Sequence, residues 1–182
     1  MRWIAKPLDF LRELRKVKPT VVHLSGHGRQ HGGSVRNGRS LRELATGSAV
    51  AEGSALCFQS LGSDPQLVST EALAETLAAA GASVRLVVLN ACWSDTHAAA
   101  LLPHCECVID VAGPVQDKAA RSFAEGFYGG VGDGASIAEA FRQGQAAIRL
   151  AGLSDCNHLR LQARNGVDAA QIFLAPTGVE AG

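Results

Sequence analysis

Apolar residues near the start of the chain fall first at helical spacing and then close into a run. Leu8, Leu11, Leu14 and Val17 recur every three residues, which predicts an amphipathic helix stopped at Pro19. Residues 20–24 follow as an apolar, β-branched stretch and read as a strand. Glycines at 26, 28, 32 and 33 then surround His27 and His31, so the strand is expected to open into a loop. Residues 55–58 form a short strand candidate before a loop through Gly62 and Pro65. Ser69 is a suitable N-cap and Gly81 a suitable C′ residue. Leu73, Leu77 and Ala80 line one face between them, which predicts a helix.

Residues 83–89 are nearly all apolar, the pattern of a strand buried on both faces of a parallel sheet. That strand runs into Asn90, Ala91, Cys92, Trp93 and Ser94. A short helix from Thr96 to Leu102 is expected to end at Pro103, with the next strand over 106–111. Two further helices are predicted, one from Asp117 through Phe127. The other opens with Ser136 and Glu139 at capping-box spacing and runs to about Leu150. In the tail, 158–161 and 171–174 flank Asn165-Gly166, as an edge hairpin or a late strand. Strand and helix alternate, so the fold class is α/β with a mostly parallel sheet covered on both faces by helices. In such sheets functional groups gather beyond the carboxyl ends of the strands. With no internal repeat and no linker, 182 residues read as one domain over 1–182.

Charge narrows the partner. The chain has 17 basic and 17 acidic residues, which excludes the basic footprint of a nucleic-acid binder and a polybasic membrane patch. A protein, peptide or small molecule is the expected partner, with no nucleic acid bound directly. No run approaches the ~18 apolar residues of a membrane span, and charges occupy the N-terminus where a signal peptide needs an apolar block. The expected location is cytoplasmic. Five cysteines, an odd number, suit a reducing compartment in which a thiol stays free.

Two segments carry chemistry. Ser25-Gly26-His27-Gly28 follows the first strand, and Asn90 to Ser94 follows the strand over 83–89. If these strands are neighbours, His27 and Cys92 converge at one rim. A cysteine thiol with a pKa near ~8.5 is only slightly ionised at neutral pH, so an adjacent imidazole is what supplies the thiolate. Gly26 and Gly28 let backbone N–H groups approach a substrate carbonyl without side chains in the way. Taken singly, each segment is weak, since a cysteine after a buried strand is commonly an inert core residue. His23, His27 and His31 would share a helix face as metal ligands, but the glycines and β-branched residues argue against a helix, so no metal is assigned. His23 and Ser25 instead share one face of a strand, with His23 packing on the sheet or supporting the site. His104, Cys105 and Cys107 lack a second ligand pair, and no phosphate-binding glycine loop occurs. No cofactor is expected.

Residues 21–28 resemble the histidine motif of caspase-like (clan CD) peptidases, and residues 88–94 their cysteine motif. The closer similarity is to CHAT domains, bacterial caspase-like peptidase domains. It extends through Val108-Ile109, the run from Gly113 to Ala120, Phe123 to Tyr128, and upstream through Lys6 to Leu11. It covers about residues 5 to 155. The chain departs from the family pattern by opening almost at the helix before the histidine strand, one or two strands short.

The resemblance implies a caspase-like three-layer α/β/α sandwich and a cysteine endopeptidase acting on a protein or peptide. It implies His27 as general acid/base and Cys92 as nucleophile, with the backbone N–H groups of Gly28 and Cys92 as oxyanion hole. It also implies a dyad needing no third member, in bacterial stress, cell-death or antiviral defence. Asn90, two before the cysteine, is implied as a lining of the primary specificity pocket. Asp110, Trp93 and Ser25 are further pocket candidates, against plainer readings of Asp110 as a solvated or capping strand-end residue and Trp93 as a core aromatic. The competing classes are a catalytically silent interaction scaffold and a form whose loops, 29–55 and from Ser94 onward, are ordered by an activating partner protein.

Overall fold

The computed structural model describes residues 7–25, 27–28, 55–58, 66–90 and 94–175 of the chain. Helix α1, Pro7–Val17, leads through a turn at Lys18 (φ 46°) into strand β1, Val21–Ser25. Its buried residues are Phe10 and Leu14, one turn apart, while Val17 at the last helical position is half-exposed. The expected helix is therefore present, with its inward face carried by Phe10 as well as Leu14.

Two sheets follow. The larger has the order β1-β5-β6-β7, where β5 is Leu86–Asn90, β6 Cys107–Val111 and β7 Leu159–Ala163. β1, β5 and β6 run parallel, and β7 closes one side antiparallel to β6. The smaller sheet is antiparallel, with β2 (His27–Gly28), β3 (Ala55–Phe58) and β4 (Gln66–Ser69) side by side. The expected loop at the histidine is thus corrected. His27 and Gly28 pair with Cys57 and Leu56, because an extended glycine-flanked backbone can complete its hydrogen bonds on a second sheet. Of the two readings of the tail, the late strand is the one present. Residues 159–163 pair with β6, a late strand, while Phe173 forms a bridge to Ser136 instead of a hairpin.

Helices cover both faces of the larger sheet. On one side lie α1, α2 (Thr70–Ala80) and α3 (Asp95–Leu101), where Phe10, Leu14, Leu73, Leu77 and Leu101 pack on Val87, Leu89 and Val108. On the other lie α4 (Asp117–Gly132) and α5 (Ile137–Leu150), where Phe123, Phe127, Phe141 and Ile148 pack on Leu86, Val88 and Ile109. The alternation of β5 between these cores follows from the two-residue period of a strand, so the chain is an α/β/α sandwich. Burying each such side chain contributes about 1.5–3 kcal/mol. Helices α4 and α5 touch closely at small residues. A side chain on Gly144 would stand 2.6 Å from the Phe123 ring, and one on Gly126 would stand 2.7 Å from the Gln143 carbonyl.

Local signals in the sequence are realised at the helix ends. Ser69 accepts a hydrogen bond from the Ala72 N–H, and Gly81 takes φ 92° after α2. Ser136 and Glu139 form the full capping box of α5. Strand β4, which runs directly into α2, was not foreseen from sequence; Gln66–Ser69 is too short and mixed to show a period. No helix among the described residues is long and apolar enough to cross a membrane.

Candidate active site

β1 and β5 are adjacent and parallel, which meets the condition that the two motifs needed. Their register runs Val21 to Leu86 through Ser25 to Asn90, so Ser25 and Asn90 are the last opposed pair at the carboxyl rim. His27 follows Ser25 by two residues and Cys92 follows Asn90 by two. The backbone of His27 lies in β2, where the chain crosses from the larger sheet to the smaller. Cys92, Ala91 and Trp93 lie outside the described residues, as does Gly26.

Ser94 fixes the chain just beyond the cysteine. It is fully buried, its hydroxyl donates to the Leu89 carbonyl at 3.1 Å and accepts the Val111 N–H at 2.9 Å, and its own N–H donates to the Val111 carbonyl at 2.8 Å. The ends of β5 and β6 are thereby joined through one side chain. Helix α3 starts at the next residue, so the expectation of a long loop from Ser94 onward is overturned. A serine that bonds both strand ends fixes the chain at this point, so the helix can begin at once. Only three residues separate the fixed points Asn90 and Ser94.

On the α4 face of the sheet a polar line reaches the rim. Tyr128, on α4, bonds through its hydroxyl to His23 Nδ1 at 2.8 Å, and His23 Nε2 meets Ser25 Oγ at 3.0 Å. The His23 and Tyr128 rings stack with centroids 5.6 Å apart. Burial lowers the pKa of His23 and raises that of Tyr128, so both are neutral near pH 7. His23 is therefore a support beneath the rim, as the shared strand face with Ser25 suggested. Asn90 follows Val88 in the alternation of β5 and lies on this same face, half-buried.

Asp110 stands apart from this face. It alternates with Ile109 and shares its side of β6 with Val108, on the α3 face, and it has no exposed surface. Gln162 on β7 donates to its carboxylate. The structure thus brings Ser25 and Asn90 together and leaves Asp110 across the sheet, where it is not a solvated strand-end group.

Sequence reasoning assigned no role to Tyr128 or to His97. His97, on α3 five residues after Cys92, is almost wholly buried and bonds through Nδ1 to Thr70 Oγ1 at 2.6 Å. A lone imidazole among alanines was its only signal in the sequence. The other described thiols are unsuited to nucleophilic work. Cys105, Cys107 and Cys156 are buried, and desolvation pushes Cys105 to about 12, with the neighbouring Cys107 adding to it, and Cys107 to about 11. At the rim of β6, Gly113 lies against the His158 ring with no room for a side chain, and the Ala112 N–H donates to the His158 carbonyl. That contact explains a glycine at the head of the motif running to Ala120.

A comparison with family models matches the CHAT domain over residues 5–158 of the chain. No curated protein matches it.

Proposed function

Because the chain belongs to the CHAT domain family, a family associated with caspase-like cysteine peptidases, we propose that it is a cysteine endopeptidase working through His27 and Cys92. The observation that carries this reading is the register of β1 and β5, whose last pair, Ser25 and Asn90, precedes the two reactive residues by equal steps. The clamp of Ser94 supports it further, since a nucleophile needs a backbone held on both sides.

In this reading the Cys92 thiolate attacks the carbonyl carbon of a peptide bond, and the oxyanion that forms is met by the backbone N–H groups of Gly28 and Cys92. The intermediate collapses, the C–N bond breaks, and His27 gives its proton to the leaving amine. His27 then takes a proton from water, whose oxygen attacks the thioester and releases the acid and the free thiol. The substrate is a protein or peptide, and no cofactor enters the chemistry. The setting implied by the family is a bacterial stress, cell-death or defence response.

The test is intact mass after treatment with peptide acyloxymethyl ketones, in which a thiolate displaces the carboxylate to leave a thioether. One adduct on the parent, absent from Cys92→Ala and from His27→Ala, is the expected result. Equal labelling of Cys92→Ala would overturn the assignment. No labelling of any protein would favour the silent interaction scaffold or the form that an activating partner protein orders.

A further inference from the structure

The line Tyr128, His23, Ser25 has a direction, and the direction bears on what the rim recognises. The hydroxyl of Tyr128 has His23 as its one hydrogen-bond partner among the described residues. Tyr128 is half-buried, and a phenol is a better hydrogen-bond donor than acceptor, so donation to an unprotonated nitrogen of the neutral imidazole is the stronger arrangement. Tyr128 is therefore the donor and His23 Nδ1 the acceptor. A neutral imidazole carries one N–H, which then sits on Nε2 and donates to Ser25 Oγ, 3.0 Å away. The Ser25 oxygen is occupied from below, and its own proton is free to point outward. Ser25 is exposed at the carboxyl rim, opposite Asn90, and its strand leads into His27 within two residues.

We infer that Ser25 is a substrate-facing hydrogen-bond donor, held in that sense by His23 and Tyr128. With the Asn90 amide it selects peptides whose side chain next to the scissile bond carries an acceptor oxygen, that of Asp, Asn, Glu or Gln. This rests on the peptidase reading above and adds its substrate class. The charges on this face agree with it. Ser25, His23, Tyr128 and Asn90 carry no negative charge, and Asp110, the carboxylate of the neighbouring strand β6, is buried on the opposite face. His23 and Tyr128 act through Ser25 and are positioning residues.

Two measurements test the proposal. The first is the protonation of His23 in the intact protein by long-range ¹⁵N–¹H correlation, which does not depend on turnover. A proton on Nε2, displaced toward Nδ1 in Tyr128→Phe, is expected; a proton on Nδ1 in the parent would overturn the direction of the line. The second is the rate of Cys92 labelling by acyloxymethyl ketones carrying Asn, Asp, Gln or Glu next to the reactive carbonyl, against Leu, norleucine and Lys. The parent is expected to prefer the acceptor-bearing probes over size-matched apolar ones by roughly tenfold, the scale of one well-placed hydrogen bond. Ser25→Ala and Tyr128→Phe should each reduce that ratio toward one, their effects should not add, and Ser25→Thr should retain it. Labelling of Cys92 without such a preference, or a full preference kept in Tyr128→Phe, would sink the proposal while leaving the peptidase intact. Absence of labelling at Cys92 with every probe would instead refute the peptidase and the substrate role with it, leaving the direction of the line to the tautomer.

Discussion

Ser25 and Asn90 face each other as the final register pair of two parallel strands. A shift of one residue between β1 and β5 would turn one of them to the other side of the sheet, because side chains alternate along a strand. The pairing therefore sets the common rim from which the two motifs depart.

If His27 and Cys92 act as one unit, their losses will not add. Each of His27→Ala and Cys92→Ala is expected to lower kcat/KM for peptide hydrolysis by about a thousandfold or more, and the double variant by no more than the worse single one. Additive losses, measured with one peptide under one set of conditions, would show that the residues do not work together.

Ser94→Ala removes a hydroxyl that bonds the Leu89 carbonyl and the Val111 N–H in a fully buried place. Stability in urea should fall by about 1–3 kcal/mol, the cost of leaving buried backbone groups without that partner. Labelling at Cys92 should slow even under conditions where the variant remains folded. Unchanged stability would mean that water replaces the hydroxyl at no cost.

Thiol labelling should separate the cysteines. With pKa values pushed to about 12 and about 11, Cys105 and Cys107 hold on the order of one thiolate in a thousand or fewer at pH 8, and both are buried. Iodoacetamide should leave them and Cys156 unmodified in the folded protein and modify all three in urea. Peptide mapping that finds fast modification of Cys105 in the native state would contradict the burial described.

His23 makes stability depend on acidity in one direction. Burial lowers its folded pKa below the usual 6.5, so between those values the unfolded chain binds the proton more readily than the folded one. Its contribution is thus greatest above pH 6.5 and is lost as pH falls through 6.5 toward the folded value. Urea unfolding at pH 7.5 and 5.5 should show the parent losing more stability on acidification than His23→Phe. An equal loss would show that His23 titrates alike in both states.

Much of the architecture was legible in the sequence because its determinants are local. The apolar run over 83–89, the N-cap at Ser69, the glycine at 81 and the capping box of Ser136 and Glu139 each specify an element within a few residues, and each is present. The motifs around His27 and Cys92 were legible for the same reason, as short runs at the ends of such elements. What sequence could not supply was pairing between distant segments. Residues 159–163 suited either a hairpin or a late strand until β6 took them up, and residues 27–28 became a strand only because β3 lies beside them.

The sequence by itself determined the alternation of strands and helices and the two residues on which the chemistry is proposed, since periodicity, capping and side-chain reactivity belong to short stretches of chain. Only the tertiary structure decided that β1 lies next to β5 and that Asp110 is buried across the sheet from Ser25 and Asn90. It also decided that Tyr128, more than a hundred residues away in the chain, bonds to His23. Strand order and contact across a packed face come from burying two apolar surfaces at once, and that balance is struck over the whole core.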